Sequence, residues 1–267
     1  MTLPARAFGW KYDLPDPATP SDFRPVIEEF LAPPSHIDSI YIELPRSIFK
    51  IRGYDPIVGG SILLVGLITL ISFIYNDFTS TTKADAGGLL IFAASYAFVF
   101  FFIFAQIRMD LTYPRNEPIR FNRLRQRVYF YQYRHDQLHP FGWKNWGVKP
   151  VAYDWEQLTA EVYSVYSPMG YGGRAEKVMI SVRKPGTDEV IDRVFFAGNI
   201  EQGKKFWALA RIFMQEGPDA LPAFTHAPTD WNSDDLRNPF HRLAPKVQWP
   251  PEMDLESRTA PGQGEQP

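Results

Sequence analysis

The chain has 267 residues, no cysteine and a formal net charge of −2, with 45% hydrophobic residues. With no cysteine there is no disulfide framework, thiolate metal site or cysteine nucleophile, and the near-neutral balance gives no global basic field to draw in nucleic acid or acidic substrates. The start of the chain lacks a basic stretch followed by an apolar one, so no cleavable secretory signal is expected and insertion into a membrane must depend on internal segments.

Residues 1–53 read as a proline-rich arm. Pro4, Pro15, Pro17, Pro20, Pro25, Pro33 and Pro34 fix φ and remove backbone donors, which leaves room for one short helix near 25–31. Partial alternation over 36–53 (Ile40, Ile42, Leu44, Ile48, Ile51) suits a short strand or an interfacial segment. Residues 54–107 then form a hairpin of two apolar spans. The first, 57–75, reads IVGGSILLVGLITLISFIY, nineteen residues without a charge. At 1.5 Å per residue it covers roughly 28 Å of a hydrocarbon layer about 30 Å thick. The second, 87–107, is also uncharged, with Gln106 as its one strongly polar side chain. A small, polar turn joins them, which requires antiparallel helices. Within the spans, Gly59, Gly60 and Gly66 and the Ala93/Ala97 pair permit close helix approach. Arg46, Lys50 and Arg52 precede the hairpin and Arg108, Arg115, Arg120, Arg123, Arg125 and Arg127 follow it, against Lys83 alone in the turn. The positive-inside bias therefore puts both termini in the cytoplasm.

Residues 108–222 switch to strand signals. Segments 118–123 and 127–134 read as a hairpin, 150–155 and 161–166 as strands around the DWEQL bend, and 176–183 and 189–196 as a second hairpin across KPGTD. Segments 135–149 and 167–173 read as loop and glycine-rich turn. A helix follows, capped by Asn199, with Phe206, Leu209, Ala210 and Phe213 on its apolar face and Gly217-Pro218 as its stop. It should lie across the sheet. Residues 223–267 read as an irregular or disordered tail.

Candidate chemistry is sparse. His135 and His139 have the four-residue spacing of a helical metal pair but fall in a loop with no third ligand, so no metal and no cofactor is expected. Asp154/Glu156 and Asp188/Glu189 sit where strands turn, a common place for carboxylates, and Gly170 to Gly173 lacks the lysine and following helix of a phosphate loop. The arginines at 108, 115, 120, 123, 125 and 127 suit membrane topology or the binding of anionic lipid headgroups. Trp143, Trp146, Trp155 and Trp231 are candidate partner-binding anchors, since interfaces favour tryptophan.

The strand pair FNRLRQRVYFYQY, the YDWEQL bend and the closing helix GKKFWALARIFMQEG, after a two-helix hairpin, resemble the bacterial membrane-anchored pleckstrin-homology-like proteins over about residues 111–221. That resemblance implies a membrane α+β fold, with a mostly antiparallel β domain closed by the amphipathic helix. The order HIDSIYIELPRSIFKIRG, two spans, RFNRLRQRVYFY, YDWEQLTAEVYS, EVIDRVFFAG and EGPDALP is similar to a bacterial two-helix membrane family often encoded beside type VI secretion genes. It implies a non-enzymatic inner-membrane protein, a secretion immunity or accessory protein, with a toxin or secretion component as protein partner. A lipid-binding, membrane-organising module using the arginine cluster is the alternative. Nucleic acid is not an expected partner.

Overall fold

The computed structural model describes residues 3–4, 6–20, 33–46, 52–79, 86–166, 173–222, 224, 228–232 and 238–263. Its strands are β1 (Trp10–Asp13), β2 (His36–Ile37), β3 (Tyr41–Leu44), β4 (Ile119–Asn122), β5 (Arg127–Phe130), β6 (Tyr133–Arg134), β7 (Gly147–Val148), β8 (Val151–Asp154), β9 (Leu158–Tyr166), β10 (Arg174–Arg183) and β11 (Val190–Ala197). The helices are α1 (Gly60–Thr79), α2 (Ala86–Thr112), α3 (Ile200–Glu216), α4 (Pro239–Leu243) and α5 (Pro251–Arg258).

Two long apolar helices and mostly antiparallel sheets make this an α+β architecture. A π-type turn, Asp55–Gly59, leads into α1. The two helices run 25 and 26 residues from Asp55 to Thr79 and from Gly87 to Thr112, long and apolar enough to cross a membrane, and almost none of their surface is covered by the rest of the chain. They pack antiparallel. Gly59 lies against Ile103, Gly66 against the Tyr96 ring, and Phe73 against Phe92 with ring centroids 5.5 Å apart. A Cβ at Gly66 would sit 2.5 Å from the Tyr96 ring, so the missing side chain sets the helix separation. Tyr96 then donates its hydroxyl to the Leu63 carbonyl at 2.9 Å. Ser61, Thr69, Ser72 and Thr79 each donate to the carbonyl four residues back, at 2.7 to 2.9 Å. Every one of these hydroxyls is satisfied without water.

One sheet has the order β2-β3-β4-β5-β8 and another β1-β9-β10-β11, with β6-β7 a separate pair. The expected hairpins are present: Phe121 pairs with Val128 in β4-β5, and Ile180 with Val194 in β10-β11. A short turn at Trp155–Gln157 carries the chain from β8 into β9, from one sheet to the other. Their inner faces share one apolar core with α3. Ile42, Phe121, Val128 and Phe130 come from the first sheet, Val162, Ile180, Val194 and Phe196 from the second, and Trp207, Leu209 and Phe213 from the helix. The Asn199 side chain accepts from Glu201 N and Gln202 N, and Gly217 ends the helix at φ +95°, as the sequence implies.

Two stretches differ from their sequence reading. In the N-terminal arm, β2 and β3 supply a strand where the alternation over 36–53 suits one and extend the sheet beyond β4, whereas β1, which pairs with β9, is absent from the sequence reading. Sequence patterning missed β1 because WKYD is too short to alternate between flanking prolines. The tail, read as irregular or disordered, carries α4 and α5, and α5 is held against β4 and β5. Its composition is polar because side chains of the sheet meet it through hydrogen bonds. The helix expected near 25–31, Lys83 and most of the turns at 76–86 and 167–173 lie outside the described residues.

Candidate functional site

The six arginines read as one basic patch are divided among separate tasks. Arg115 and Arg120 are buried. Arg115 donates to the carbonyls of Asn232 and Arg242, both at 2.8 Å, and so ties the end of α2 to the α4 segment. Arg120 bridges two carboxylates, Glu43 at 2.5 Å and Asp254 at 2.6 Å. Arg125 donates to the Thr259 and Ala260 carbonyls at 2.9 Å, and Arg127 to Glu256 at 2.6 Å. Buried Asn122 completes the seam by donating to the Ser257 and Thr259 carbonyls at 3.1 and 3.0 Å. Arg123 faces the C-terminus of α3, where a side chain at Gly217 would meet its guanidinium at 3.3 Å. Arg108 alone stands at the helix pair, its guanidinium 5.0 Å from the Trp143 ring and 4.4 Å from the Trp146 ring. Spacing in sequence brought these arginines close together, but strand alternation and the docked tail send them to different places.

Arginines ahead of the spans are also absorbed internally. Arg46 is buried and donates to the carbonyls of Glu117 at 2.7 Å, Tyr131 at 2.8 Å and Phe195. Arg52 donates to the carbonyls of Asp110, Tyr113 and Pro114. Gly53, at φ +89°, gives its N–H to the Asp110 carboxylate at 2.8 Å and leaves no room for a Cβ beside the Phe240 ring. This polar seam joins α1, α2 and the sheet domain. His241 of α4 faces it; burial first, then the positive charges of Arg52 and Arg115, hold its pKa below the usual histidine value against the opposing pull of Asp110.

The four tryptophans also separate. Trp155 is 5% exposed and packs against Trp207 and Phe121 at 5.0 and 5.8 Å, which makes it a core residue and corrects its reading as a partner anchor. Trp143 is 85% exposed, and Trp146 donates to the His139 carbonyl at 3.0 Å. Trp231 lines a cleft of about 320 Å³ between the first sheet and the tail. Glu43, Arg120, Trp249, Asp254 and Arg258 form other parts of its wall. Arg120 lies 4.5 Å from the Trp249 ring centroid, and Asn232 fixes the Trp231 loop by exchanging hydrogen bonds with Val247 at 3.1 and 2.8 Å. The indole N–H groups of Trp231 and Trp249 lack an acceptor among the described residues. Trp249 gave no sequence signal, because nothing in a proline-flanked tail marks a wall of a cleft.

As chemistry, the cleft offers recognition. Its carboxylates Glu43 and Asp254 already share a guanidinium, and the two half-buried indoles provide flat apolar surface in the wall. Among the described residues no group of three or more His, Asp or Glu side chains gathers as a metal site. His139 instead meets Asp136 at 2.9 Å, and His135 packs on Tyr133. Asp188 and Glu189 pair with Arg183 and Lys184 in their hairpin turn.

No curated protein matches the chain, and no solved structure matches it. Residues 96–238, from within α2 through β4 to β11 and α3 to the residue before α4, match a family of unknown function, DUF6708. The match spans more than half of the chain, and the protein belongs to that family.

Proposed function

We propose that this is a non-enzymatic, multi-pass protein of a bacterial inner membrane, with both termini in the cytoplasm. Its pleckstrin-homology-like domain binds a protein partner, a toxin or other component of type VI secretion, in an immunity or accessory role. The observation that carries the membrane part is the uncovered helix pair, in which the hydroxyls of Ser61, Thr69, Ser72, Thr79 and Tyr96 are satisfied by carbonyls of the pair itself. Leaving so much apolar surface in water is unfavourable, whereas lipid covers it at no cost in backbone hydrogen bonds. The excess of arginine on one side of the pair supports the orientation. Two antiparallel sheets around one core, closed by α3, support the domain reading. The cleft beside Trp231 and Trp249 supports partner binding, since tryptophan in a polar rim is a common anchor of protein interfaces.

A lipid-organising role needs arginines free to reach headgroups. Arg115, Arg120, Arg125 and Arg127 are instead engaged with the chain's own segments, which favours the protein-partner reading. Purification of the full chain in detergent from its native host tests this. Recovery of a secretion component or toxin, lost in Trp231→Ala while membrane fractionation is unchanged, is the expected outcome. No such component recovered, together with no protection in a killing assay, would sink the proposal. Liposome binding abolished by charge reversal at Arg123 and Arg125 would point to the lipid role.

A further inference from the structure

The loop over residues 135–146 presents an unusual surface. Leu138 is 74% exposed, Phe141 58% and Trp143 85%, three large apolar side chains within six residues. The loop that carries them is tightly built. Asp136 accepts from the Leu138 backbone at 3.1 Å and the Asn145 side chain at 2.9 Å, and meets His139 Nδ1 at 2.9 Å. Gly142 N donates to the His139 carbonyl at 3.0 Å. Arg108 closes the loop from α2 by donating to the carbonyls of Pro140 and, at 2.7 Å, Gly142. Apolar side chains held outward on a fixed frame mark a surface that something covers.

The loop's contacts with α2 identify the cover. The Phe141 ring stacks on Phe104 at 4.9 Å and meets Phe101 at 6.3 Å. Phe104 and Phe101 precede Arg108, the first charge after the apolar run, by four and seven residues. At 1.5 Å per residue they lie about 6 and 10 Å further along the apolar helix. If α2 crosses a bilayer, a ring touching both is within the acyl boundary. Trp143 then stands at headgroup level beside Arg108. Lys144 is exposed on this loop, and exposed Lys149, just beyond β7, donates to the Lys144 carbonyl at 3.1 Å, so both positive side chains lie beside it, as suits anionic headgroups.

We infer that residues 138–146 form an in-plane membrane anchor: Leu138 and Phe141 enter the outer acyl layer beside α2, and Trp143 rests in the interface of the same leaflet. The occupant of this surface is phospholipid, through continuity with the apolar face of α2. This inference rests on the membrane-spanning reading of the helix pair. It adds a third point of attachment, which fixes the tilt of the sheet domain against the membrane and with it the direction in which the Trp231 cleft opens.

The absence of cysteine allows a direct test. Full chains carrying Trp143→Cys, Leu138→Cys, Phe98→Cys or Asp188→Cys are spin-labelled and reconstituted in vesicles of phosphatidylethanolamine and phosphatidylglycerol. Collision with oxygen and with a water-soluble nickel chelate then reports depth. Phe98, exposed on α2, marks the acyl region, and Asp188, in the exposed turn of β10-β11, marks water. The labels at 143 and 138 are expected to favour oxygen over nickel several-fold more than the label at 188. If they behave as the label at 188 does while 98 remains lipid-exposed, the anchor is wrong and the spanning helices stand. A water-exposed label at 98 overturns both. Two labelled positions in the loop guard against one variant failing to fold.

Discussion

Arg46 shows how a charged residue can serve a fold through its donors alone. Its guanidinium reaches carbonyls of Glu117 and Tyr131, at the two open ends of the β4-β5 hairpin, and of Phe195 in β11 of the other sheet. Arg46→Met keeps much of the volume but strands those buried acceptors, and should destabilise the domain by on the order of 3 kcal/mol. A lowered midpoint of thermal unfolding in detergent measures this; an unchanged midpoint would contradict it. His241 supplies a pH effect. Because its folded pKa is lowered from the ordinary value of 6.5 by burial and by Arg52 and Arg115, the unfolded chain binds the proton more readily. The associated stability is fully present above that ordinary value and is lost as pH falls from it through the lowered folded pKa. His241→Gln should therefore flatten the difference in unfolding midpoint between pH 7.5 and pH 5.5 relative to the native chain. Parallel curves for the two proteins would show that His241 has no part in it.

Among the elements, the α1-α2 contact depends on what is missing at Gly66. Gly66→Leu would drive a side chain into the Tyr96 ring, a cost of about 1–3 kcal/mol of packing strain. Cysteines introduced at Phe73 and Phe92, whose rings are 5.5 Å apart, should be joined readily by a short bifunctional thiol cross-linker in the otherwise native chain and much less in the Gly66→Leu background. Equal yields would mean that the glycine does not set the approach. At the other end, α5 is held by donors rather than by an apolar face. Asn122→Ala removes the amide that grips Ser257 and Thr259, together with the oxygen that accepts from Arg125 N at 2.9 Å. A loss of about 2 kcal/mol from the seam is expected. It should appear as faster hydrogen exchange over residues 251–259, with β10 and β11 unaffected.

For the whole molecule, the helix pair and the sheet domain are joined by a polar seam: Arg52 to the carbonyls at the end of α2, Gly53 to Asp110, and Arg115 to the α4 segment. Such a joint transmits orientation, because its donors and acceptors have few alternative partners once buried. In the proposed setting the domain is held in a defined pose above the bilayer. The full chain should remain in the membrane pellet after alkaline carbonate extraction, and a reporter following Pro267 should be active in the cytoplasm. Release into the supernatant, or a reporter active only outside, would remove the basis for the topology.

The sequence by itself determined the elements whose signal is local. Two uncharged runs, the β4-β5 and β10-β11 hairpins, the Asn199 cap and the Gly217 stop all follow from periodicity, turn chemistry or missing charge within a short window. Only the tertiary structure decided where isolated side chains go. Trp155 enters the core because the sheets meet at its turn, and Trp231 joins Trp249 because the tail returns to β4. The arginine run disperses for the same reason, since partners more than a hundred residues away in the chain claim Arg115, Arg120, Arg125 and Arg127. Local pattern specifies backbone conformation, whereas the partner of a long polar side chain depends on which distant carbonyl or carboxylate the fold carries to it, and neighbouring residues hold no record of that.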